Sequence, residues 1–329
     1  MRNLITDVPG VHVGHAEDLR LGSGATALIF DDPAVAAVDL RGGGTGTRET
    51  ALLDPAQTVE TINAVTLSGG SAFGLDAASG VQAWLKEQNR GFAVGTARVP
   101  IVPAAILFDL LSAGDKNWGR FPPYRDLGYA AAAAAGPDFA LGSVGAGTGA
   151  TTANCKGGIG SASSQCRDGS VVGAIAAVNA VGSVLVGPGP WFWAAPFEID
   201  GEFGGRGLPE SFPQQAFAPV IKGAPRGHTT LVVVATDTIL TKAQANRVAV
   251  MAQSGLSRAI YPVHSPLDGD IVFAVSTGRR PLSDGIYGLT EIGMLAANVV
   301  ARAIARAVFT AEALKLPGAM PSWHDQFSR

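Results

Sequence analysis

The stretch Gly223-Ala-Pro-Arg-Gly-His-Thr-Thr-Leu-Val-Val-Val-Ala-Thr-Asp237 decides how the rest of the chain is read. A short Pro/Gly loop meets two threonines, and an unbroken apolar run follows at once. Pro225 and Gly227 favour a turn with exposed backbone. Residues 231–235 have the uninterrupted apolar, β-branched character of a strand buried on both faces. Thr229 therefore stands where a loop enters a rigid core. That position suits the presentation of a hydroxyl, and it suits a cut in the chain. It equally suits an ordinary loop-to-strand junction in which threonine serves β-propensity.

Outward from this stretch, the pattern alternates short strands with helices. Strands are expected at 11–15, 25–30 (ending at Asp31-Asp32-Pro33), 35–40, 64–68, 171–178, 183–186 and 271–276. The 64–68 run stops at Gly69-Gly70, and a helix opens at Ser71 and runs to about Glu87. Such a strand-Gly-Gly-helix junction either aims backbone N–H groups at an anion or substrate carbonyl, or packs helix tightly on strand. A short helical piece is expected at 104–111 and an alanine-rich helix at 127–135. Thr241-Lys-Ala-Gln244 is a capping-box pattern, and the helix after it carries Ala245, Val248, Ala249, Ala252 and Leu256 on one face. A last apolar helix is expected at 290–314, with a loosely ordered tail at 317–329. Residues 142–165 are nearly all Gly, Ala, Ser and Thr around one charge, Lys156, and read as tightly packed strands and loops. Residues 187–228 form a long Pro- and aromatic-rich segment without periodicity, and long irregular segments in compact domains are usually functional or flexible. The expected architecture is one α/β domain with strand layers at the centre and helices outside.

Composition narrows the partners. A chain of 329 residues with 47% hydrophobic content can bury a large core. Its net charge of −3 gives no reason to expect nucleic acid or an anionic membrane. Charged residues make up only 16%, which fits deep burial and subunit contacts, since interface cores are depleted in charge. Two cysteines, Cys155 and Cys166, make no disulfide framework and have no zinc spacing. Residues 1–7 lack the apolar run of a signal peptide, and no uncharged apolar twenty-residue span is found, so a soluble cytoplasmic protein is expected.

Motifs for the commonest chemistries are missing. The glycine-rich loop at 42–47 lacks the third glycine of a dinucleotide fingerprint, and Gly145-Ala-Gly-Thr-Gly-Ala150 has no helical pattern after it. There is no Gly-Lys-Ser/Thr phosphate loop, no Gly-x-Ser-x-Gly elbow and no His-Glu-x-x-His helix. The five histidines (His12, His15, His228, His264, His324) are scattered, so neither a metal nor another cofactor is expected. One chemistry needs few motifs: a threonine made N-terminal by cleavage. A free α-amine has a reference pKa of about 7.7–8.0 and acts as base for the hydroxyl of its own residue. The cut would fall between His228 and Thr229. In the uncut chain that nitrogen is an amide, so Lys156, the pair Asp268/Asp270, or more weakly His228 must assist the first attack. Gly227 would permit the distorted backbone such an acyl shift requires.

The same residues carry a resemblance over nearly the whole chain. They are Asp7-Val-Pro-Gly-Val-His-Val-Gly-His15, Leu67-Ser-Gly-Gly-Ser-Ala-Phe-Gly-Leu75, Gly145 to Ala150 with Lys156, Val178-Asn179, Thr229 to Asp237, and Asp268-Gly-Asp270 before a strand. In this order the chain resembles the DmpA-type N-terminal-nucleophile hydrolases, which comprise L-aminopeptidase/D-esterases, β-peptidyl aminopeptidases and nylon-oligomer hydrolases. The resemblance implies a four-layer αββα sandwich, self-cleavage into 1–228 and 229–329, and a tetramer of processed protomers. It implies Thr229 as nucleophile, Asn179 as donor to the reacting carbonyl, and Lys156 as the group that lowers the nucleophile's pKa or steadies the oxyanion. Asp268 and Asp270 resemble the paired acids of the nylon-oligomer hydrolases, where peptidyl aminopeptidases tend to carry serine and glutamate. Carboxylates there would orient the Thr229 ammonium or hydroxyl, share a proton and bind a substrate amine. Phe108 stands where some members have tyrosine, which removes a hydroxyl donor; with Gly69 and Gly70 it is a candidate wall of the substrate pocket. His228 stands where relatives often have asparagine or glycine. The expected activity is hydrolysis of short peptides or related small amides. The rival readings are an ornithine acetyltransferase-like acyltransferase and an uncleaved protein that binds a small ligand.

Overall fold

A computed structural model describes residues 1–218, 220–222 and 228–328, so the Pro225/Gly227 turn lies outside the described residues. The strands are β1 (Val11–Asp18), β2 (Ser23–Leu40), β3 (Thr47–Arg48), β4 (Thr61–Ser68), β5 (Phe92–Val94), β6 (Ala97–Val99), β7 (Ala104–Ile106), β8 (Gly158–Gln165), β9 (Val171–Asn179), β10 (Thr229–Thr238) and β11 (Ile271–Arg280). The helices are α1 (Ala77–Glu87), α2 (Tyr124–Ala133), α3 (Lys242–Ala259), α4 (Gly285–Phe309) and α5 (Trp323–Phe327).

β10 is buried along all its length, as its unbroken apolar run requires. On one side it pairs antiparallel with β9, Thr229 lying opposite Asn179 and Thr230 opposite Val178. On the other it pairs parallel with β11, Leu231 opposite Ile271. Parallel neighbours need a crossover, and α3 supplies it. Thr241 caps α3 as its sequence pattern indicates: its hydroxyl accepts from Gln244 N at 3.2 Å, and Gln244 Oε1 accepts from Thr241 N at 2.9 Å.

The sheet order is β3-β7-β4-β2-β11-β10-β9-β8, with β1 paired to β2. β2 belongs to both halves. Its early residues pair with β1 and β4, its late ones with β11, and the β4 register shifts between Ile29 and Ala34. The sheet folds over on itself there. Side chains alternate across each strand, so Leu231, Val233 and Ala235 point between the halves, against Phe30, Val65 and Leu67. Val232 and Val234 point the other way, beneath Val248 and Ala252 of α3 and Ile304 of α4. Helices α1 and α2 cover the outer face of the first half, with Val81, Leu85 and Ala131 on Ala27, Ile29 and Ala64. The result is the expected four-layer αββα sandwich, whose two central layers are halves of one nine-stranded sheet. Each buried Val, Leu or Phe contributes roughly 1.5–3 kcal/mol.

Local readings differ in four places. Residues 23–40 form one strand rather than two, because Asp31, Asp32 and Pro33 sit exposed at the register shift, where Pro33 needs no ladder partner. The expected helical piece at 104–111 is instead strand β7, parallel to β4. Residues 183–186 make isolated bridges, Ser183 to Tyr261 and Leu185 to Phe192, in place of a regular strand. The tail is packed: Ser322 caps α5, and Trp323, 3% exposed, stacks on Phe192 with ring centroids 5.9 Å apart. Helix α4 is long and apolar enough by composition to cross a bilayer, yet most of it is buried inside the fold. It packs on β8, β9 and α3, and its Arg302 is paired with the nearly buried Glu202 at 2.5 Å. Glu202 lies in the irregular 187–218 segment, which this pair helps to anchor.

Candidate active site

Three adjacent strands converge at one end of the sheet. β10 begins with Thr229, β9 ends with Asn179 directly opposite, and β11 begins just after Asp268 and Asp270. An isolated parallel bridge between His228 and Asp268 keeps the β10–β11 register three residues ahead of the first ladder pair, Leu231 and Ile271. Residues directly opposed on antiparallel strands project to the same face, so Thr229 and Asn179 share one side of the sheet.

In the continuous chain Thr229 is 2% exposed. Its hydroxyl donates to the carbonyl oxygen of His228, the residue before it. The Gly269 N–H donates to that same oxygen at 2.8 Å. The His228–Thr229 peptide thus has a hydroxyl beside its carbonyl and a backbone donor on the oxygen that would become negative under attack. Gly269 has no room for a side chain: an added Cβ would lie 2.6 Å from Thr229 Oγ1 and 2.8 Å from Gly44 O.

The two carboxylates are buried and bound by backbone. Asp268 Oδ1 accepts from Val181 N at 3.2 Å and Oδ2 from Ser265 N at 3.0 Å. Asp270 Oδ1 accepts from Thr230 N at 2.9 Å, and Oδ2 from His264 N at 3.1 Å with the His264 ring Nδ1 at 3.0 Å. Burial, and then the neighbouring charge of Asp270, pushes Asp268 up to about 6. The glycine-rich loop braces this turn, with Gly44 N on Asp268 O at 2.7 Å and Gly42 N on Asp270 O at 3.2 Å. Around this turn, His264 and Gly269 are the members that sequence reasoning missed. A scattered histidine and the middle residue of Asp-Gly-Asp carry no signal until β10 and β11 are adjacent.

Asn179 is fixed by its partners: Oδ1 accepts from Thr151 N at 3.0 Å and Lys222 Nζ at 2.9 Å, and Nδ2 donates to Phe108 O at 3.0 Å. The ammonium of Lys222 also reaches Thr151 O at 3.1 Å. Lys156 lies in a cradle of carbonyls, with Nζ at 2.9 Å from Gly147 O, 2.9 Å from Ala150 O and 2.8 Å from Gly157 O. Three acceptors match the three donors of an ammonium. Burial nonetheless pushes this amine down to about 7, with the charge of Asp109 opposing and that of Lys222 adding. Asp109 is fully buried, and desolvation raises its carboxyl.

Phe108 meets the site through its main-chain oxygen. Gly69 and Gly70 turn inward: Gly70 N donates to Asp109 Oδ1 at 2.7 Å, and Ser71 N to Leu107 O at 3.0 Å. A Cβ on Gly70, whose φ is +81°, would strike the Tyr124 ring. The Gly-Gly junction thus serves tight packing around Asp109. Thr151 and Lys156, with Gly149, Leu111, Leu314 and Met320, line a cleft of about 200 Å³. A larger hollow of about 480 Å³, at Arg167, Asp168 and Tyr287, lies beyond the opposite end of β9 from Asn179. Among the described residues no cluster of His, Cys, Asp and Glu is arranged to hold a metal.

Comparison with known proteins gives the family and the fold. The model of peptidase family S58 matches residues 3–319. The chain is 41% identical to the uncharacterized aminopeptidase Rv1333 of Mycobacterium tuberculosis, over 99% of this chain and 98% of that one. The fold is similar to that of a Burkholderia sp. beta-aminopeptidase, with TM-score 0.72, 22% identity, and coverage of 99% of this chain and 92% of that one. It is also similar to the L-aminopeptidase D-Ala-esterase/amidase of Ochrobactrum anthropi, described as a variant of the Ntn hydrolase fold (TM-score 0.70, 21% identity, 100% and 95% covered). A hydroxyl at the head of a central strand, set on its own preceding carbonyl inside this four-layer sandwich, is therefore found in a chain that belongs to peptidase family S58, a hydrolase with the N-terminal-nucleophile fold.

Proposed function

We propose that the chain cuts itself between His228 and Thr229 and then hydrolyses short peptides or related small amides bearing a free amine, through an acyl-enzyme on Thr229. One observation carries this reading: the Thr229 hydroxyl and the Gly269 N–H meet on the oxygen of the peptide bond to be cut. In the first step Thr229 Oγ attacks the His228 carbonyl carbon, and the developing oxyanion keeps the Gly269 hydrogen bond. The C–N bond to Thr229 breaks, its nitrogen takes a proton, and His228 becomes an ester on Oγ. Water hydrolyses that ester and leaves Thr229 with a free amine, which then serves as base for its own hydroxyl. Asp270 holds the Thr230 N–H and Asp268 the turn, so the acidic pair keeps the head of β10 in place beside negative charge that favours the new ammonium.

The aminopeptidase activity named for the Mycobacterium and Ochrobactrum relatives supports a free-amine substrate. A tetramer of processed protomers in the cytoplasm, without nucleic-acid or membrane partners, completes the reading. Two buried free cysteines and sparse charge support it, as do Ile286 and Tyr287, about three-quarters exposed on α4. The test is hydrolysis of alanine p-nitroanilide by the wild type and by Thr229→Ala, beside acetyl transfer from N-acetylornithine. Hydrolysis that depends on Thr229 is expected; transfer exceeding hydrolysis would favour the acyltransferase.

A further inference from the structure

Lys222 precedes the proposed cut by six positions, yet its side chain is buried at the site, 6% exposed. A lysine ammonium is strongly hydrated, and its burial needs strong acceptors. Asn179 Oδ1 at 2.9 Å and Thr151 O at 3.1 Å are among its acceptors. The amide of Asn179 cannot be turned round, because Thr151 N must find an acceptor and Phe108 O a donor. The main chain is tied in as well, with Lys222 N on Val181 O at 3.1 Å. Just upstream, Phe217 packs on Trp193 and Tyr261 with ring centroids 5.8 and 6.2 Å apart. The two carboxylates hold backbone N–H groups and the His264 ring, and no described ammonium lies on them.

Resting on the hydrolase reading above, we infer that Asn179 Oδ1 and Thr151 O form the subsite for the substrate's primary ammonium, and that Lys222 of the same chain occupies it as a built-in mimic. Asn179 faces Thr229 across the ladder, so an ammonium held there lies on the nucleophile's side of the sheet. Lys222 stays on the large chain after the cut, tethered close to the subsite and in competition with each arriving amine. A short tether corresponds to an effective concentration in the millimolar range, enough to raise an apparent KM several-fold.

The test has two arms. In the processed enzyme, Lys222→Met lowers the KM for alanine p-nitroanilide about three- to tenfold and does not change the KM for N-acetylalanine p-nitroanilide. Lys222→Arg restores the wild-type KM. The second arm needs no turnover, so it separates failure of this inference from failure of the hydrolase reading. In a Thr229→Ala background, n-butylammonium chloride raises the Tm of the Lys222→Met chain, while the Lys222 chain responds no more than to tetramethylammonium chloride. Lys222→Gln repeats the comparison should the methionine variant fold poorly. Equal responses of the chains with and without Lys222, or a KM shift shared by the acetylated substrate, would overturn the inference.

Discussion

Replacing Gly269 by alanine probes the site through one methyl group. The backbone at 269 does not need glycine's left-handed freedom, since Gly269 is not among the positive-φ glycines. The N–H that serves the His228 oxygen is also retained. What changes is space. The new Cβ would lie 2.6 Å from Thr229 Oγ1, 2.8 Å from Gly44 O and 3.2 Å from Thr229 Cγ2, where ordinary contact begins near 3.4 Å. The hydroxyl must move by roughly 0.8 Å, and displacements of about 1 Å at a reacting atom cost on the order of 10²-fold in rate. Self-cleavage of Gly269→Ala is therefore expected to slow by about 10²-fold, equivalent to about 2.7 kcal/mol of activation free energy. Overpacking itself costs about 1–3 kcal/mol of stability, so a folded protein is expected. The assay follows the two fragments by intact mass after synthesis, beside Gly136→Ala, whose Cβ meets nothing within 4 Å. Processing and turnover of Gly269→Ala at the wild-type rate would refute the idea that Thr229 acts from this position.

Two further outcomes follow from the buried ionisable groups. Asp268 titrates near 6 in the fold, above its reference near 3.9, so the folded state binds the extra proton between those values. Its stabilising contribution is complete below about pH 3.9 and lost as pH rises through about 6; activity that needs the carboxylate rises through the same window. Denaturation at stepped pH should show that slope, and Asp268→Asn should remove it. Lys156, pushed down to about 7, has the opposite sense: its contribution is complete above the free lysine value and lost as pH falls through about 7. Wild-type stability should therefore climb from pH 7 towards 10. Lys156→Met should be flat there and lower overall by about 1–3 kcal/mol, since buried carbonyls lose their donor.

Much of the architecture was legible because its signals are local. The β-branched run after Thr230 marks a strand covered on both faces, and Thr241 to Gln244 announces its helix by the capping box it forms. Residues 104–111 misled because a short apolar run fits strand or helix equally; only the parallel pairing of β7 with β4 decides. Pro33 marks the crease where β2 passes from one layer to the other, which no single-strand pattern anticipates. The tail carried its own cap in Ser322 and Asp325, and its order follows from that cap and from Trp323 on Phe192. In the candidate site, Thr229, Asp268 and Asp270 stand out in the sequence by their chemistry, and Asn179 by family resemblance alone. The Gly269 donor, the His264 partner of Asp270 and the buried Lys222 ammonium depend on contacts between segments far apart in sequence.

The most direct measurement is the intact mass of freshly purified wild-type protein beside Thr229→Ala, with the amino terminus of each species sequenced. Two polypeptides from the wild type, the smaller beginning at Thr229, and one unbroken chain from the variant are expected. A wild type that stays whole and still turns over amides, or a variant that cuts and works as well, would contradict catalysis by a threonine freed at its own nitrogen.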